Sequence, residues 1–459
     1  MFLTGTDEHG SKIAEAAVRR GKLPQEFVDE IAPQFKHTWD ALDISYDRFI
    51  RTTDADHVKT VEQFLEKLRE SGFIYKGEYK GLYCKGCEEF KKPAELLEGK
   101  CPIHETIPTE LSEPSYFFKL SAFKDQLLQL IMNDGLVIKP DIRKNEVTAF
   151  LEGEVEDLAI SRQNVAWGIP LPWDTEHTIY VWVDALINYY TAGKPHGFWP
   201  PQWQFIAKDI LRFHCVIWPA MLLAIGEELP QNIFVHGFFT IDGKKISKSL
   251  GNVIDPVELS QNYSADALRF FLFRAFPFGN DGDFSYGLLD DFYNGSLSNE
   301  LGNLVQRVVV MTEKYCSSEV PTVTTRISNV ETAVVQDIWR RWESALQEIK
   351  LEEAFKSVWD LVKFANQRID ETRPWDLAKI DGEKERLSEV IYEFLEILRH
   401  ISLLLIPLMP HTAAAIATLL GVEHKTEGGQ SDYRQLQQWG GLASGGTIQV
   451  GAVLFPRRV

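Results

Sequence analysis

The chain has 459 residues, 44% hydrophobic and 25% charged, a composition typical of a folded protein with about two to four domains. Its formal net charge of −18 opposes sequence-independent coating of nucleic acid, although it permits a local basic site. Five cysteines are too few for a disulfide scaffold, and neither a secretory start nor an apolar run long enough for a membrane span is present, so we expect a protein of the reducing cytoplasm.

The first half of the chain alternates strand-like and helix-like segments. Residues 2–6 are predicted to form a strand that runs into a loop at 7–10, and an amphipathic helix is predicted from Lys12 to Arg20. Later strand-like runs are residues 179–183, 205–206 and 233–235, and a helical pattern at 210–225 separates the last two. This alternation predicts a parallel α/β sheet, interrupted by a cysteine-bearing insertion.

Four potential metal ligands lie within that insertion. Cys84 and Cys87 form one pair and Cys101 and His104 form another, each with two residues between its members. The spacing lets both members of a pair reach one ion from a tight turn, and it predicts a Cys3His zinc site. The alternative is two turns that carry unrelated thiols. A closed four-ligand site leaves no open position, so we expect a structural zinc.

A short basic loop follows the last of these strand-like runs. Residues 243–252 contain three lysines and two serines flanked by glycines. Ammonium and hydroxyl groups can bind phosphate oxygens, and glycine permits close approach of the backbone. A solvated basic turn is the alternative interpretation.

Beyond residue 293 the pattern is almost entirely helical and predicts a helix bundle. The apolar run 397–409 is too short to span a bilayer and is interpreted as a buried helix. One helix face is predicted to carry an apolar stripe of Leu297, Leu301, Leu304, Val305, Val308 and Val309. Asn303 and Arg307 are four residues apart and lie off this stripe, so we expect both to face solvent or a partner. Residues 448–455 are predicted to form a final strand.

The ordered set of motifs resembles one enzyme family. Residues 245–249 resemble the KMSKS motif of class I aminoacyl-tRNA synthetases, with Ile246 in place of methionine. Residues 2–10, 180–189 and 205–214 resemble the methionine–tRNA synthetases in particular, and the resemblance covers essentially the whole chain. It implies an α/β fold: a Rossmann-type parallel-sheet catalytic domain, split by a zinc-binding insertion and followed by an all-α anticodon-binding bundle. The implied ranges are 1–72 and 179–240 for the catalytic domain, 73–178 for the insertion, 241–292 for a stem-contact region with the KMSKS motif, 293–445 for the bundle and 446–459 for a C-terminal strand.

The resemblance also implies roles for individual residues. Lys248 is expected to be the main transition-state cation, with Lys245 as its partner. The ATP-binding residues are expected to be Lys248, Ser247, Asp209 and Ala207, with Mg²⁺ accompanying the ATP. The methionine-binding residues are expected to be Asp7, Trp182, Ala185, Tyr189, Ile210 and His214, of which Asp7 would meet the substrate ammonium. Arg162 is a further expected active-site residue. The family commonly has glycine where Ala207 stands, and we expect the added methyl group to be tolerated.

Asn303, Arg307 and Trp375 coincide with the anticodon-reading residues of the family. Pro374 fixes the chain just before Trp375. An exposed tryptophan beside a hydrogen-bonding helix can stack an unpaired base while the helix reads the edge of that base. By resemblance, these three residues are predicted to read the CAU anticodon of tRNA(Met).

The sequence departs from the family at its start. Family members begin with a strand and a histidine-rich HIGH motif at a helix N-terminus, which binds ATP phosphates. That motif does not occur here, since His9 belongs to the following segment. We therefore expect an inner strand of the sheet to be missing, and three explanations compete: a misplaced start or an incomplete sequence, a decayed copy, and a non-catalytic tRNA-binding derivative.

The leading hypothesis is a methionine–tRNA ligase, expected to act as a cytoplasmic monomer on methionine, ATP and tRNA(Met) without a membrane. One alternative is a truncated, non-catalytic tRNA-binding derivative. Another is a class I synthetase for leucine, isoleucine or valine, against which the absence of a large editing insertion argues.

Overall fold

The computed structural model describes residues 1–86, 89–91, 93–163, 165–241, 243–246, 253–323, 329–423 and 434–458. The chain forms two compact units, Met1–Gly237 and Phe238–Val459. Across these described ranges, every helix is too short or too polar to cross a membrane.

The first unit mixes strands and helices along its whole length. In chain order its elements are β1 (Leu3–Thr6), α1 (Ser11–Arg19), α2 (Pro24–Ala41), β2 (Arg48–Arg51), α3 (Ala55–Glu70), β3 (Ile74–Cys84), β4 (Glu89–Lys91), β5 (Thr109–Phe118), α4 (Lys124–Met132), β6 (Val137–Lys139), α5 (Asp141–Glu152), β7 (Leu158–Ala159), β8 (Ser161–Arg162), β9 (Pro170–Leu171), β10 (Asp174–Ile179), α6 (Val181–Leu186), α7 (Asn188–Gly193), β11 (Trp203–Ala207), α8 (Trp218–Ala224) and β12 (Asn232–His236).

Two parallel sheets in this unit confirm the predicted α/β pattern. Strand β1 pairs with β2, and β11, β12 and β6 form a second sheet in the order β11-β12-β6. Strand β6 lies within residues 73–178, so the range assigned to the insertion also supplies a strand of the second parallel sheet. The rest of that range is largely antiparallel, because β3 and β5 form a long ladder with β4 and β7 at its edges.

Aromatic packing joins helices α3 and α8 in the core of the first unit. Phe64 and Trp218 are buried and stack with their ring centroids 5.7 Å apart. Tyr190 of α7 meets Phe64 edge to face, at 5.6 Å. Full burial of one large apolar side chain contributes about 1.5–3 kcal/mol, so this cluster fixes α7 against the body of the unit.

The second unit is mostly helical. Its elements are β13 (Phe239–Ile241), β14 (Lys244–Lys245), α9 (Pro256–Tyr263), α10 (Ala265–Arg274), β15 (Gly282–Phe284), α11 (Tyr286–Phe292), a π-helical segment (Tyr293–Gly302), α12 (Asn303–Cys316), α13 (Asn329–Gln347), α14 (Leu351–Thr372), α15 (Pro374–Leu377), α16 (Lys384–Leu405) and α17 (Pro410–Leu419). Helix α16 is buried along nearly all of its C-terminal part, which confirms the buried helix predicted from residue 397 as far as Leu405. It packs against α14 and α17.

Two of the strands predicted from the sequence, residues 179–183 and 448–455, are wrong. Strand β10 ends at Ile179, and helix α6 begins two residues later, because the Val183 amide turns back to donate to the Tyr180 carbonyl oxygen at 2.9 Å. Residues 446–458 contain no strand, since the Ile448 and Gln449 amides donate to single carbonyls of separate segments. A short apolar run does not by itself separate a buried strand from a buried helix or an extended tail.

Candidate functional site

A cavity of about 870 Å³ opens in the first unit beside β1 and β11. Helices α6 and α7 supply another part of its wall. The six residues predicted to bind methionine all line it, namely Asp7, Trp182, Ala185, Tyr189, Ile210 and His214. The structure therefore brings together residues that lie far apart in the sequence.

The loop after β1 carries Asp7 and is held in place by its buried neighbour Glu8. Trp167 Nε1 donates a hydrogen bond to the Glu8 carbonyl oxygen at 2.7 Å. The Glu8 carboxylate accepts three more, from Thr6 Oγ1 (2.7 Å), Arg51 Nε (2.8 Å) and Thr53 Oγ1 (2.5 Å). Asp7 itself remains exposed at the cavity. The loop backbone is thus held in place, and the exposed side chain of Asp7 lines the cavity.

Another part of the cavity wall is aromatic and uncharged. Trp182 stacks on Phe213 with the ring centroids 4.5 Å apart. His214 Nδ1–H donates to the Ile210 carbonyl oxygen at 3.0 Å, so Nε2 is left to accept from the Tyr189 hydroxyl at 2.9 Å. Burial lowers the pKa of His214 to about 4, so its ring is neutral at physiological pH. This wall suits an uncharged, polarizable side chain.

The remaining active-site predictions in the first unit lie outside this cavity wall. Ala207 is the last residue of β11, and the exposed Asp209 follows in the short 3-10 helix Lys208–Ile210. That turn leads directly to Ile210 on the cavity wall. Arg162 is buried on β8, with its guanidinium carbon 4.5 Å from the centroid of the Tyr180 ring.

Three of the four predicted metal ligands converge. Cys84 and Cys101 are buried, and their sulfurs lie 4.0 and 3.8 Å from His104 Nδ1. The ligand atoms of all three lie within 4.8 Å of one another, a separation that one ion with short metal–ligand bonds can bridge. Cys87 lies outside the described residues. Two thiols and an imidazole are the donor set that zinc prefers, so the residues present fit this ion.

The basic loop of the second unit is described only at its start. Lys245 ends β14, which pairs antiparallel with β13. Asp283 holds the preceding turn, because its carboxylate accepts from Thr240 Oγ1 at 2.6 Å and from the Gly243 amide at 2.8 Å. Gly243 has a φ of 70°, which favours glycine. Ser247 and Lys248 lie outside the described residues.

The predicted anticodon residues lie on α12 and at the start of α15. Arg307 places its guanidinium carbon 5.9 Å from the centroid of the Trp375 ring and forms an ion pair of 2.7 Å with Asp370. Asn303 is exposed one turn earlier on α12. Trp375 is half-buried rather than exposed as predicted, and it lies beside this arginine. The structure thus brings Arg307 and Trp375 together.

A buried polar network behind the cavity was not predicted from the sequence. Asp184 accepts from His9 Nδ1 at 2.6 Å and from His57 Nε2 at 2.8 Å, and all three side chains are buried. Burial alone would raise the pKa of Asp184, but the hydrogen bonds from His57 and His9 outweigh it and hold the pKa below its usual value. The available sequence signal was a charged residue inside the apolar run 179–187, since a buried charge requires partners.

A model of the family "tRNA synthetases class I (M)" matches residues 1–106 and 91–309 of the chain. The fold is therefore that of a class I aminoacyl-tRNA synthetase. The chain is 43% identical to the methionine–tRNA ligase of Caldanaerobacter subterraneus subsp. tengcongensis, over 100% of this chain and 72% of that relative. It is 40% identical to the methionine–tRNA ligase of Thermotoga maritima, over 100% of this chain and 74% of that relative. The chain belongs to the methionine–tRNA ligase family.

Solved structures agree with this assignment. The crystal structure of Mycobacterium tuberculosis methionyl-tRNA synthetase bound by methionyl-adenylate matches with a TM-score of 0.92 at 36% identity. The match covers 99% of this chain and 92% of that chain. An apo form of the same M. tuberculosis enzyme matches with a TM-score of 0.85 at 34% identity.

Proposed function

We propose that this chain activates methionine with ATP and transfers the methionyl group to tRNA(Met). In the first step a methionine carboxylate oxygen attacks the α-phosphorus of ATP, and pyrophosphate leaves. In the second step a ribose hydroxyl of the terminal adenosine attacks the activated carbonyl carbon, and AMP leaves. The observation that carries the proposal is the single cavity lined by all six residues expected to bind methionine.

The cavity suits the two ends of methionine in different ways. The exposed carboxylate of Asp7 offers a counter-ion for the substrate ammonium. Trp182 and Tyr189 offer aromatic surface to the thioether sulfur, a contact worth about 0.3–1.5 kcal/mol. Because His214 is neutral and already hydrogen-bonded, it adds no charge that would favour a polar side chain over a thioether.

The groups that handle ATP are proposed from the resemblance and the chemistry of their side chains. Asp209 and Ala207 are assigned to the nucleotide, and Lys245, Ser247 and Lys248 to the triphosphate, which Mg²⁺ accompanies. Lysine ammonium groups neutralise the charge that develops as pyrophosphate leaves. Arg162 is assigned to the active site as a supporting residue, because its buried guanidinium stacks over Tyr180, two residues before Trp182.

Zinc is proposed as a structural ion in the first unit. Cys84, Cys101 and His104 would hold it together with Cys87, and the ion would supply cross-links between two turns rather than chemistry. In the second unit, Asn303, Arg307 and Trp375 are proposed to read the CAU anticodon. The contact between Arg307 and Trp375 supports this, since an arginine over an aromatic ring forms a cationic stacking platform for a base.

Methionine-dependent exchange of pyrophosphate into ATP tests the proposal. We expect exchange with methionine and little with leucine, isoleucine or valine. Asp7→Ala is expected to lower kcat/KM for methionine by about 100-fold, the scale of a lost charge-assisted hydrogen bond. His177→Asn is the matched control, because His177 is buried in the same unit but lies outside the cavity wall. Absence of exchange by a folded chain that still binds tRNA(Met) would favour a tRNA-binding derivative instead.

A further inference from the structure

The buried network around Asp184 joins two parts of the cavity wall. His9, which donates to one oxygen of the Asp184 carboxylate, lies two residues after Asp7 on the loop that follows β1. Asp184 itself lies on α6, between Trp182 and Ala185, both of which line the cavity. One carboxylate therefore ties the loop that carries Asp7 to the helix that carries the apolar part of the wall.

The second histidine anchors the same carboxylate to the body of the unit. His57 on α3 contacts Asp184 through Nε2 and the Thr191 hydroxyl through Nδ1, at 2.8 and 3.0 Å. An ionised carboxylate only accepts hydrogen bonds, so both histidines present N–H groups to Asp184. His57 is fully buried and Asp184 is 1% exposed, so water cannot replace either partner.

We propose that Asp184, with His9 and His57, is a positioning residue that holds the ammonium-binding carboxylate of Asp7 at a fixed distance from the thioether pocket. This inference rests on the proposed function, since it concerns how one cavity binds the two ends of methionine. None of the three network residues lines the cavity, so they act through Asp7, Trp182 and Ala185 rather than on the substrate. Such a tie would control how strongly the cavity prefers a ligand that contacts Asp7 and the thioether pocket at the same time.

The test compares methionine with 4-(methylsulfanyl)butanoate, which keeps the thioether and carboxylate but lacks the ammonium group. Titration calorimetry on the full chain gives the ratio of the two dissociation constants. His9→Ala is expected to shrink that ratio by about tenfold, because the loop of Asp7 loses its tie to α6. His9→Asn is expected to restore most of it, since the asparagine amide keeps an N–H donor near the position of Nδ1.

A merely structural role would give a different result. Loss of stability alone would lower the melting temperature, or weaken both ligands equally, and leave the ratio unchanged; that outcome overturns the inference. Asp184→Asn provides a second variant, and its effect on methionine binding is expected to be non-additive with that of Asp7→Asn, because both act on the same interaction. Additive effects would also overturn it. His177→Asn again serves as the control, as a buried histidine bonded instead to Ser161.

The outcomes separate this inference from the proposed function. If the unaltered chain binds methionine and the ratio survives His9→Ala, the positioning role fails while the function stands. If the unaltered chain shows no preference for methionine over its deamino analogue, the assignment of Asp7 to the ammonium group fails, and the positioning role fails with it.

Discussion

At the scale of single residues, the geometry of the candidate metal site formed by Cys84, Cys101 and His104 depends on one glycine. A β-carbon at Gly86 would lie 2.4 Å from His104 Cγ, closer than any real contact, and the rest of the ring is nearly as close. The imidazole can therefore lie beside Cys84 only because position 86 has no side chain. This requirement is separate from any turn geometry, since Gly86 is not among the residues with positive φ.

Gly86→Ala is accordingly expected to weaken zinc binding by about 10–100-fold, the usual effect of disturbing the groups that orient a metal ligand. Competition of the purified chain with a chromogenic chelator measures it. Gly287→Ala is the control, because a β-carbon there meets nothing within 4 Å. Equal zinc affinity in the two variants would mean that His104 does not bind the ion. Cys101→Ser is expected to lower the zinc content further, whereas the half-buried Cys316→Ser is expected to leave it unchanged.

A second residue-scale feature is a pair of buried carboxylates in the helix bundle. Burial raises the pKa of Glu393 to about 7, and the nearby charge of Glu331 contributes to the rise, while Arg386 and Arg368 oppose it. Glu331 is itself buried and forms an ion pair of 2.8 Å with Arg368. The pair thus connects helices α13, α14 and α16 through groups that cannot all be charged without cost.

The pH dependence follows from this raised pKa. The folded chain keeps a proton on Glu393 that the unfolded chain releases near its ordinary pKa of about 4.5, so stability decreases as pH rises from there to about 7 and stays lower above it. Glu393→Gln is therefore expected to stabilise the chain at pH 8 by roughly 1–2 kcal/mol, after allowance for solvent screening, and by much less at pH 5. Urea unfolding at both pH values tests this. The exposed Glu313→Gln should change neither. A gain that is equal at both pH values would contradict the assignment.

At the scale of elements, helices and strands with a clear hydrophobic period could be predicted from the sequence. Elements that form only through pairing with a distant segment were missed. The apolar stripe around Leu297, Leu301 and Leu304 is buried as predicted, although residues 293–302 adopt π-helical geometry. Strand β2 was missed because Arg48 and Arg51 flank a single buried residue, Ile50, and only pairing with β1 makes the segment a strand.

The residues of the candidate site also divide into those that a local motif predicts and those related only by distant contacts. The cavity residues could be named from motifs, because each lies in a short string with its own pattern. The network behind them could not, since His57 and Asp184 are 127 positions apart and no local spacing relates them. The sequence does show that Asp184 is a charged residue within an apolar run, which indicates that a partner exists without identifying it.

The proposed anticodon site on helices α12 and α15 leads to a prediction about Trp375. Trp375→Ala is expected to lower kcat/KM for tRNA(Met) in aminoacylation by about 10–100-fold, since stacking of a base on an aromatic ring contributes about 1–3 kcal/mol. Methionine-dependent pyrophosphate exchange should be unchanged, because that reaction needs no tRNA. Tyr286→Ala removes a more exposed aromatic side chain of the same unit and is expected to have little effect on either reaction. A parallel loss of exchange would place Trp375 outside an RNA-reading role.

At the scale of the whole molecule, charge limits how RNA can bind. The chain carries 48 basic against 66 acidic residues, so its overall field repels a polyanion. We therefore expect attraction to come from local groups, such as the proposed anticodon-reading residues Arg307 and Trp375, which would act at short range and on particular bases. Binding of this kind is selective because a mismatched base leaves polar groups unpaired rather than merely removing a charge contact.

We therefore expect the chain to bind a tRNA with a CAU anticodon at least about tenfold more tightly than the same tRNA in which one anticodon base is replaced. The reason is that an unpaired polar group costs about 1–3 kcal/mol. Fluorescence anisotropy at about 50 and about 200 mM KCl measures the preference at two strengths of screening. The preference should persist at the higher salt concentration, because both tRNAs share the same phosphate contacts and lose the same counterion contribution. Arg307→Ala should reduce the preference, whereas Arg340→Ala, an exposed arginine of α13 in the same unit, should change both affinities alike. If an unrelated RNA of equal length bound as tightly as tRNA(Met) at both salt concentrations, a diffuse basic surface rather than these residues would account for binding.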